Sequence, residues 1–285
     1  MTGANADYGK WIGVSETLED TMDPEQARAA AAIFDEPVDV FRAGAALPPL
    51  WHWFYFRSCT PQRSLGADGH ATRGDFLPPV SLPRRMIAGG RLTFHRPLVL
   101  GAPAVRERAL ADVRQTRGRS GSLVFVTVRS RLTQHGSCCC DEELDIVYRE
   151  RSAAVALPAP AAWPPIPVGA RVRDVLPDSR LLFRFSALTF NAHRIHYDRD
   201  YTREEEGYPG LVVHGPLLAM WLMAHATAAG GRASHEVRHF SYRSERPAFD
   251  GAMLRLVSAG SGATRQLHAL RADGLIAQAA TATLG

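Results

Sequence analysis

The chain has 285 residues, 46% of them hydrophobic and 22% charged, with a formal net charge of +4 and a pI near 9.1. That balance belongs to a globular protein able to bury a full core, in one large or two ordinary domains. The sequence has no apolar run long enough to span a membrane, no export segment is expected at its start, and its basic charge, all arginine except Lys10, forms no tract of the nucleic-acid-binding kind.

In chain order, residues 1–11 read as a loosely held arm. Asp23-Pro24-Glu25 caps a helix that runs through the alanines to about Phe34. Leu47-Pro48-Pro49 opens residues 50–56, LWHWFYF, whose apolar density suits a strand or a buried helix. Its place after a proline predicts a first core helix, with the aromatics as packing. Residues 58–83 lack periodicity and read as loop. Cys138, Cys139 and Cys140 are consecutive, a poor spacing for a zinc chelate, and read as a surface turn before Asp141-Glu142-Glu143. With Cys59 alone, nothing suggests a disulfide framework, so a reducing cytoplasm is expected. Residues 156–167, rich in Pro and Ala, predict a linker.

A short repeat relates the two halves. Phe94-His95-Arg96-Pro97-Leu98-Val99-Leu100-Gly101 parallels Ser244-Glu245-Arg246-Pro247-Ala248-Phe249-Asp250-Gly251, with Arg-Pro and a following Gly in both. Strand-like runs follow each copy, at residues 104–113 and 123–132 and at residues 253–259 and 266–271. The pattern predicts modules at residues 1–155 and 168–285.

Residues 186–231 organise the chain. Asn191, His193, His196 and Asp198 lie within eight positions. Asp198 is placed to cap a short acidic helix that Gly207 would end. Tyr208-Pro209-Gly210 is turn chemistry, and residues 211–213 are extended. His214-Gly215-Pro216 then opens a helix to residue 229 that is apolar on every face, hence buried, and too short to cross a membrane. Gly215 leaves room for a ligand at the free N–H groups of that helix start, a ready site for an oxyanion.

The run RFSALTFNAHRIHYDRDYTREEEGYPGLVVHGPL, from Arg184 to Leu217, resembles the hydratase-2 (MaoC-like) branch of the hot-dog fold. It is most similar to itaconyl-CoA and mesaconyl-C4-CoA hydratases and type-2 3-hydroxyacyl-thioester dehydratases. The resemblance implies an α+β double hot-dog, two antiparallel sheets each wrapping a central helix, with the working site in the second module and the acyl-pocket wall in the first. It implies a cytoplasmic hydro-lyase acting on an acyl-CoA, CoA being part of the substrate rather than a cofactor, with no metal, nucleic-acid or membrane partner. A homo-oligomer of double hot-dog chains remains open.

Where the family's motif has an Asp five residues before its His, this chain has Asn191 before His196, and His193 falls on the motif's Asn. Asn191 cannot act as a base but can orient water. Enoyl-thioester hydration needs a base for water, an acid at C2 and donors for the thioester oxygen. His196 is assigned the acid/base role, Asn191 the placing of water, His193 a second donor or an orienter, and the Gly215 N–H the thioester oxygen. His214 either shapes the turn or meets the substrate. Tyr197 is counted among the substrate contacts. The implied substrates carry a free carboxylate, for which Arg184, Arg194 and Arg243 are the candidate cations, Arg184 and Arg243 on strand-like runs. The alternatives are a 3-hydroxyacyl-thioester dehydratase of fatty acid synthesis, a hot-dog thioesterase and a non-catalytic acyl-CoA-binding protein.

Overall fold

The computed structural model describes residues 7–118, 121–151, 154–157, 159–227 and 236–285. Among these, ten antiparallel strands form one continuous sheet. Its order is β1 (Ser15–Asp20), β3 (Ala104–Gly118), β4 (Gly121–Gln134), β5 (Ser137–Arg149), β2 (Arg84–Phe94), β7 (Val237–Ser244), β10 (Ile276–Leu284), β9 (Thr264–Arg271), β8 (Leu254–Ala259) and β6 (Arg171–Val175). Each half contributes five strands in the same internal order, and the two expected sheets join edge to edge where β2 pairs with β7. That seam requires small residues: a Cβ on Gly89 would lie 2.3 Å from the Tyr242 carbonyl oxygen.

The sequence repeat is a repeat of structure. After β2, Val99 bridges Ala46; after β7, Phe249 bridges Val212. Gly101 and Gly251 both take positive φ, 77° and 72°, as a glycine can without a Cβ penalty. Their N–H groups donate at 2.8 Å to the carbonyls of Met22 and Pro177, each just ahead of a helix, α1 (Pro24–Ile33) and α2 (Ser179–Leu188). Asp23 caps α1 through the Glu25 N–H, as its sequence predicts.

Two further helices belong to the second half, α3 (Arg199–Glu204) and α4 (Gly215–Thr227). The α4 helix lies in the concave face of the sheet against β7, β8, β9 and β10, with Leu217, Ala219, Leu222 and Ala226 fully buried. The expected continuation of this helix through residues 228 and 229 lies outside the described residues. No helix among the described residues is long and apolar enough to cross a membrane.

Several expectations for the first half need correction. Residues 50–56 do not form a core helix. They hold one 3₁₀ turn, Trp51–Phe54, where the paired bridges place the counterpart of the start of α4. Leu50 (φ 71°) and Phe56 (φ 53°) turn left-handed on either side, and the chain leaves for the segment 58–83. The aromatics do pack as core: Trp51 stacks on Phe41 with ring centroids 5.0 Å apart, and Phe54 meets Phe185 at 5.5 Å. The three consecutive cysteines are not a surface turn. They lie in β5, with Cys139 and Cys140 buried, and the turn falls earlier, at His135-Gly136. Of the N-terminal arm, residues 1–6 lie outside the described residues, whereas Tyr8 is buried and its carbonyl accepts from the Trp11 N–H at 3.0 Å.

Candidate active site

Asp178 caps α2 by accepting from the Leu181 N–H at 2.9 Å. The chain reverses after α2 through Phe190 (φ 52°), and the Asn191 N–H donates back to Ser186 at 2.8 Å. The Asn191 Oδ1 then accepts the His193 N–H at 3.0 Å, an Asx turn that bends the loop toward a single 3₁₀ turn, Arg194–His196. Asp198 caps α3 through the Tyr201 N–H at 3.0 Å, and Gly207 closes that segment at φ 70°. Both features follow the sequence reading. The returning strand residue Val212 ties the loop shut: its N–H donates to Ile195 at 2.9 Å, and its carbonyl accepts from His196 Nδ1 at 2.7 Å.

That last bond fixes the chemistry of His196. A carbonyl only accepts, so Nδ1 carries the hydrogen and Nε2 carries the lone pair. Burial holds the ring neutral, lowering its pKa to about 4 despite the Val212 hydrogen bond. His214 stacks on it with centroids 3.6 Å apart and planes at 18°, and its Nε2 lies 2.8 Å from Ser186 Oγ. Burial, then the neighbouring His196, keeps His214 well below the ordinary histidine range. His193 meets His196 edge to face at 5.5 Å and is pushed down by burial and by His70. The site thus holds a cluster of imidazoles kept uncharged by desolvation.

These groups face a cavity of about 360 Å³ between the two halves. Gly215 lies on its wall as the first residue of α4, with its N–H making no hydrogen bond to a described residue. A Cβ there would meet Ser244 Oγ at 3.5 Å and Gln278 Nε2 at 3.9 Å, both ordinary contacts. Protein packing does not demand the glycine, and its missing side chain leaves open space on the cavity wall. Gln278, fully buried, pins this helix start by donating to the Gly215 carbonyl at 3.1 Å.

Sequence reasoning missed what the first half adds. The segment 58–83 crosses to the site and lays Asp68-Gly69-His70 on the Asn191 loop. The Arg194 N–H donates to the Asp68 carbonyl at 2.9 Å, and the His70 ring sits 3.9 Å from that of His193. His70 Nδ1 lies 3.0 Å from Asp68 Oδ2. Burial raises the Asp68 carboxyl, but the hydrogen bond and charge of His70 outweigh it and hold the group at about 2. The only sequence signal was an Asp-Gly-His triplet inside an aperiodic loop. Asp68, His70 and His193 place ligand atoms within 4.8 Å of one another, a set a divalent ion could bridge. Against that, the carboxylate already accepts twice from His70, and the Arg85 cation acts on all three groups.

Of the expected site residues, Asn191, His193, His196, His214 and Gly215 line the cavity. The remaining four do not. Arg184 lies on the exposed face of α2, a helix rather than a strand. Arg194 points away and pairs with Asp198 at 2.8 Å. Tyr197 is exposed and donates to the Ala192 carbonyl at 3.1 Å. Arg243 is on β7 but exposed, paired with Glu245 at 3.0 Å. The arginines at the cavity are Arg85, Arg149 and Arg246.

A sequence profile described as hydroxyacyl-thioester dehydratase type 2 matches residues 50–250. The chain is 51% identical over 282 residues, 99% of both proteins, to mesaconyl-C(4)-CoA hydratase of Chloroflexus aurantiacus. Its fold is similar to that of a MaoC-like dehydratase from Phytophthora capsici, with a TM-score of 0.72, 14% identity and 98% of each chain covered. It is also similar to Rv0216 of Mycobacterium tuberculosis, which has a double hot-dog fold, with a TM-score of 0.59, 14% identity and 96% of each chain covered.

Proposed function

The chain belongs to the hydroxyacyl-thioester dehydratase type 2 family of MaoC-like hydro-lyases and has its double hot-dog fold, and from that premise we propose that it hydrates mesaconyl-C4-CoA reversibly to citramalyl-CoA. The observation that carries the substrate is the full-length similarity to the Chloroflexus hydratase. The site supports the chemistry, because a neutral imidazole and a helix N-terminus line one cavity.

Water bonds through its oxygen to C3 of the enoyl thioester, and its proton passes to His196 Nε2. The π pair moves through C2 onto the thioester oxygen, where the Gly215 N–H meets the developing charge. The imidazolium returns the proton to C2 and the carbonyl re-forms, so H and OH have been added across the double bond. Asn191 has its oxygen engaged by the His193 N–H and keeps only its amide hydrogens for water. His70, donating from Nδ1 to Asp68, presents Nε2 as a second acceptor for the attacking water. In mesaconyl-C4-CoA the double bond is conjugated with the thioester, as this charge path requires.

The test is to incubate the protein with mesaconyl-C4-CoA in H₂¹⁸O. The reading expects citramalyl-CoA heavier by one ¹⁸O; an unchanged substrate, or hydrolysis to free acid, overturns it.

A further inference from the structure

Resting on that reading, we propose that Arg85 is the cation that holds the free carboxylate of the substrate and selects dicarboxylic over plain enoyl thioesters. In the C4 thioester of methylfumarate the free carboxylate is attached to C3, the carbon that water attacks. Its partner must therefore sit beside the base, a few ångströms from the reacting carbon.

Arg85 meets that condition. It lies on β2, half-buried, on the wall of the cavity that holds His70, His193 and His196. Its charge is felt at Asp68, His70 and His193. The other arginines at the cavity are engaged: Arg149 donates to the Tyr208 hydroxyl at 3.2 Å, and Arg246 reaches Glu245 and the Ile276 carbonyl, both at 3.5 Å. The preceding Arg84 pairs with Glu206. The Arg85 guanidinium makes no hydrogen bond or ion pair with any described residue. A half-buried guanidinium whose charge reaches Asp68 without contacting it, in a cavity lined by uncharged imidazoles, is suited to a planar anion that takes two parallel hydrogen bonds. Pairing also removes a negative charge that would repel the incoming water oxygen.

The test compares kcat/KM for mesaconyl-C4-CoA and crotonyl-CoA in the wild type, Arg85→Met and Arg85→Lys. Removing one partner of an enclosed charge pair is expected to lower the mesaconyl-to-crotonyl ratio about a hundredfold or more in Arg85→Met. Arg85→Lys, which keeps the charge but not the fork, should recover part of that ratio. Equal losses on both substrates, or an unchanged ratio, would overturn the role of Arg85 while leaving the hydratase reading standing. A wild type that prefers crotonyl-CoA would reject the substrate reading itself, and Arg85 with it.

Discussion

At the scale of single residues, the account rests on a neutral His196. Its Nδ1 is committed to Val212, so truncation removes the Nε2 lone pair assigned as the base. His196→Ala should lower turnover by a factor of about a hundred or more, with His193→Ala costing less; retained turnover in a folded His196→Ala protein would refute the assignment. The pH dependence has a definite sign. With the folded His196 pKa near 4, well below its ordinary value of 6.5, the base stays unprotonated as pH falls past 6.5. The acid limb of kcat/KM should therefore lie nearer pH 4 than pH 6.5, unless the protein unfolds first. Stability runs the other way. Below pH 6.5 the unfolded chain takes up protons that the buried rings refuse, so stability present above pH 6.5 is lost toward pH 4, by up to about 1.4 kcal/mol per pH unit for each such histidine. Urea titrations at pH 7.5 and 5.5 measure this; equal stabilities would mean that the rings are not buried neutral. His196 and Gly215 were legible because a local loop and a helix start mark themselves by spacing. His70 and Arg85 were not, because the fold brings them from more than a hundred residues away.

At the scale of elements, the segment 58–83 is the working addition of the first half. It docks backbone to backbone: a Cβ on Gly69 would lie 1.8 Å from the Ala192 carbonyl oxygen, and Gly69 has φ 86°. Gly69→Ala should destabilise the protein by more than about 1 kcal/mol and lower turnover, because the strain falls between His70 and His193. Thermal unfolding and kcat on one preparation check this, and wild-type values for both would show the docking to be incidental. The sequence described this segment only as loop, since its order comes from contacts with the second half. The α3 and α4 helices were readable from Asp198, Gly207 and Pro216, residues whose local chemistry sets helix ends. The LWHWFYF run misled because its composition fits any buried element. What breaks it is a left-handed Leu50, which has no sequence signature.

At the scale of the whole molecule, we read residues 1–155 and 168–285 as two modules joined by the linker at residues 156–167, with the second carrying the acid/base and the first carrying the pocket wall. The repeated strand order and the matched bridges at Val99 and Phe249 support this reading. The cavity lies where the modules meet, so it depends on the β2–β7 seam. Gly89→Val would press on the Tyr242 backbone and should lower the urea midpoint and turnover together, by about 1–3 kcal/mol in stability. A variant with wild-type stability would mean that the seam is not close-packed. The pseudo-symmetry was visible in sequence only as Arg-Pro with a following Gly, because these residues set a turn, whereas the strand pairing leaves no shared residues. β2 and β5 were not anticipated at all: β2 carries glycines where it packs closely against β7, and β5 buries two cysteines and an acid, Glu142, that do not read as core strand residues.

Hydration of a thioester bearing a carboxylate on the reacting carbon is what distinguishes this site from that of a plain enoyl-thioester hydratase. It is tested most directly by the ratio of kcat/KM for mesaconyl-C4-CoA to that for crotonyl-CoA, followed by loss of the enoyl-thioester absorbance with the wild-type protein. The expected ratio is far above one; a ratio below one, with crotonyl-CoA readily hydrated, would show that the site does not select the carboxylate.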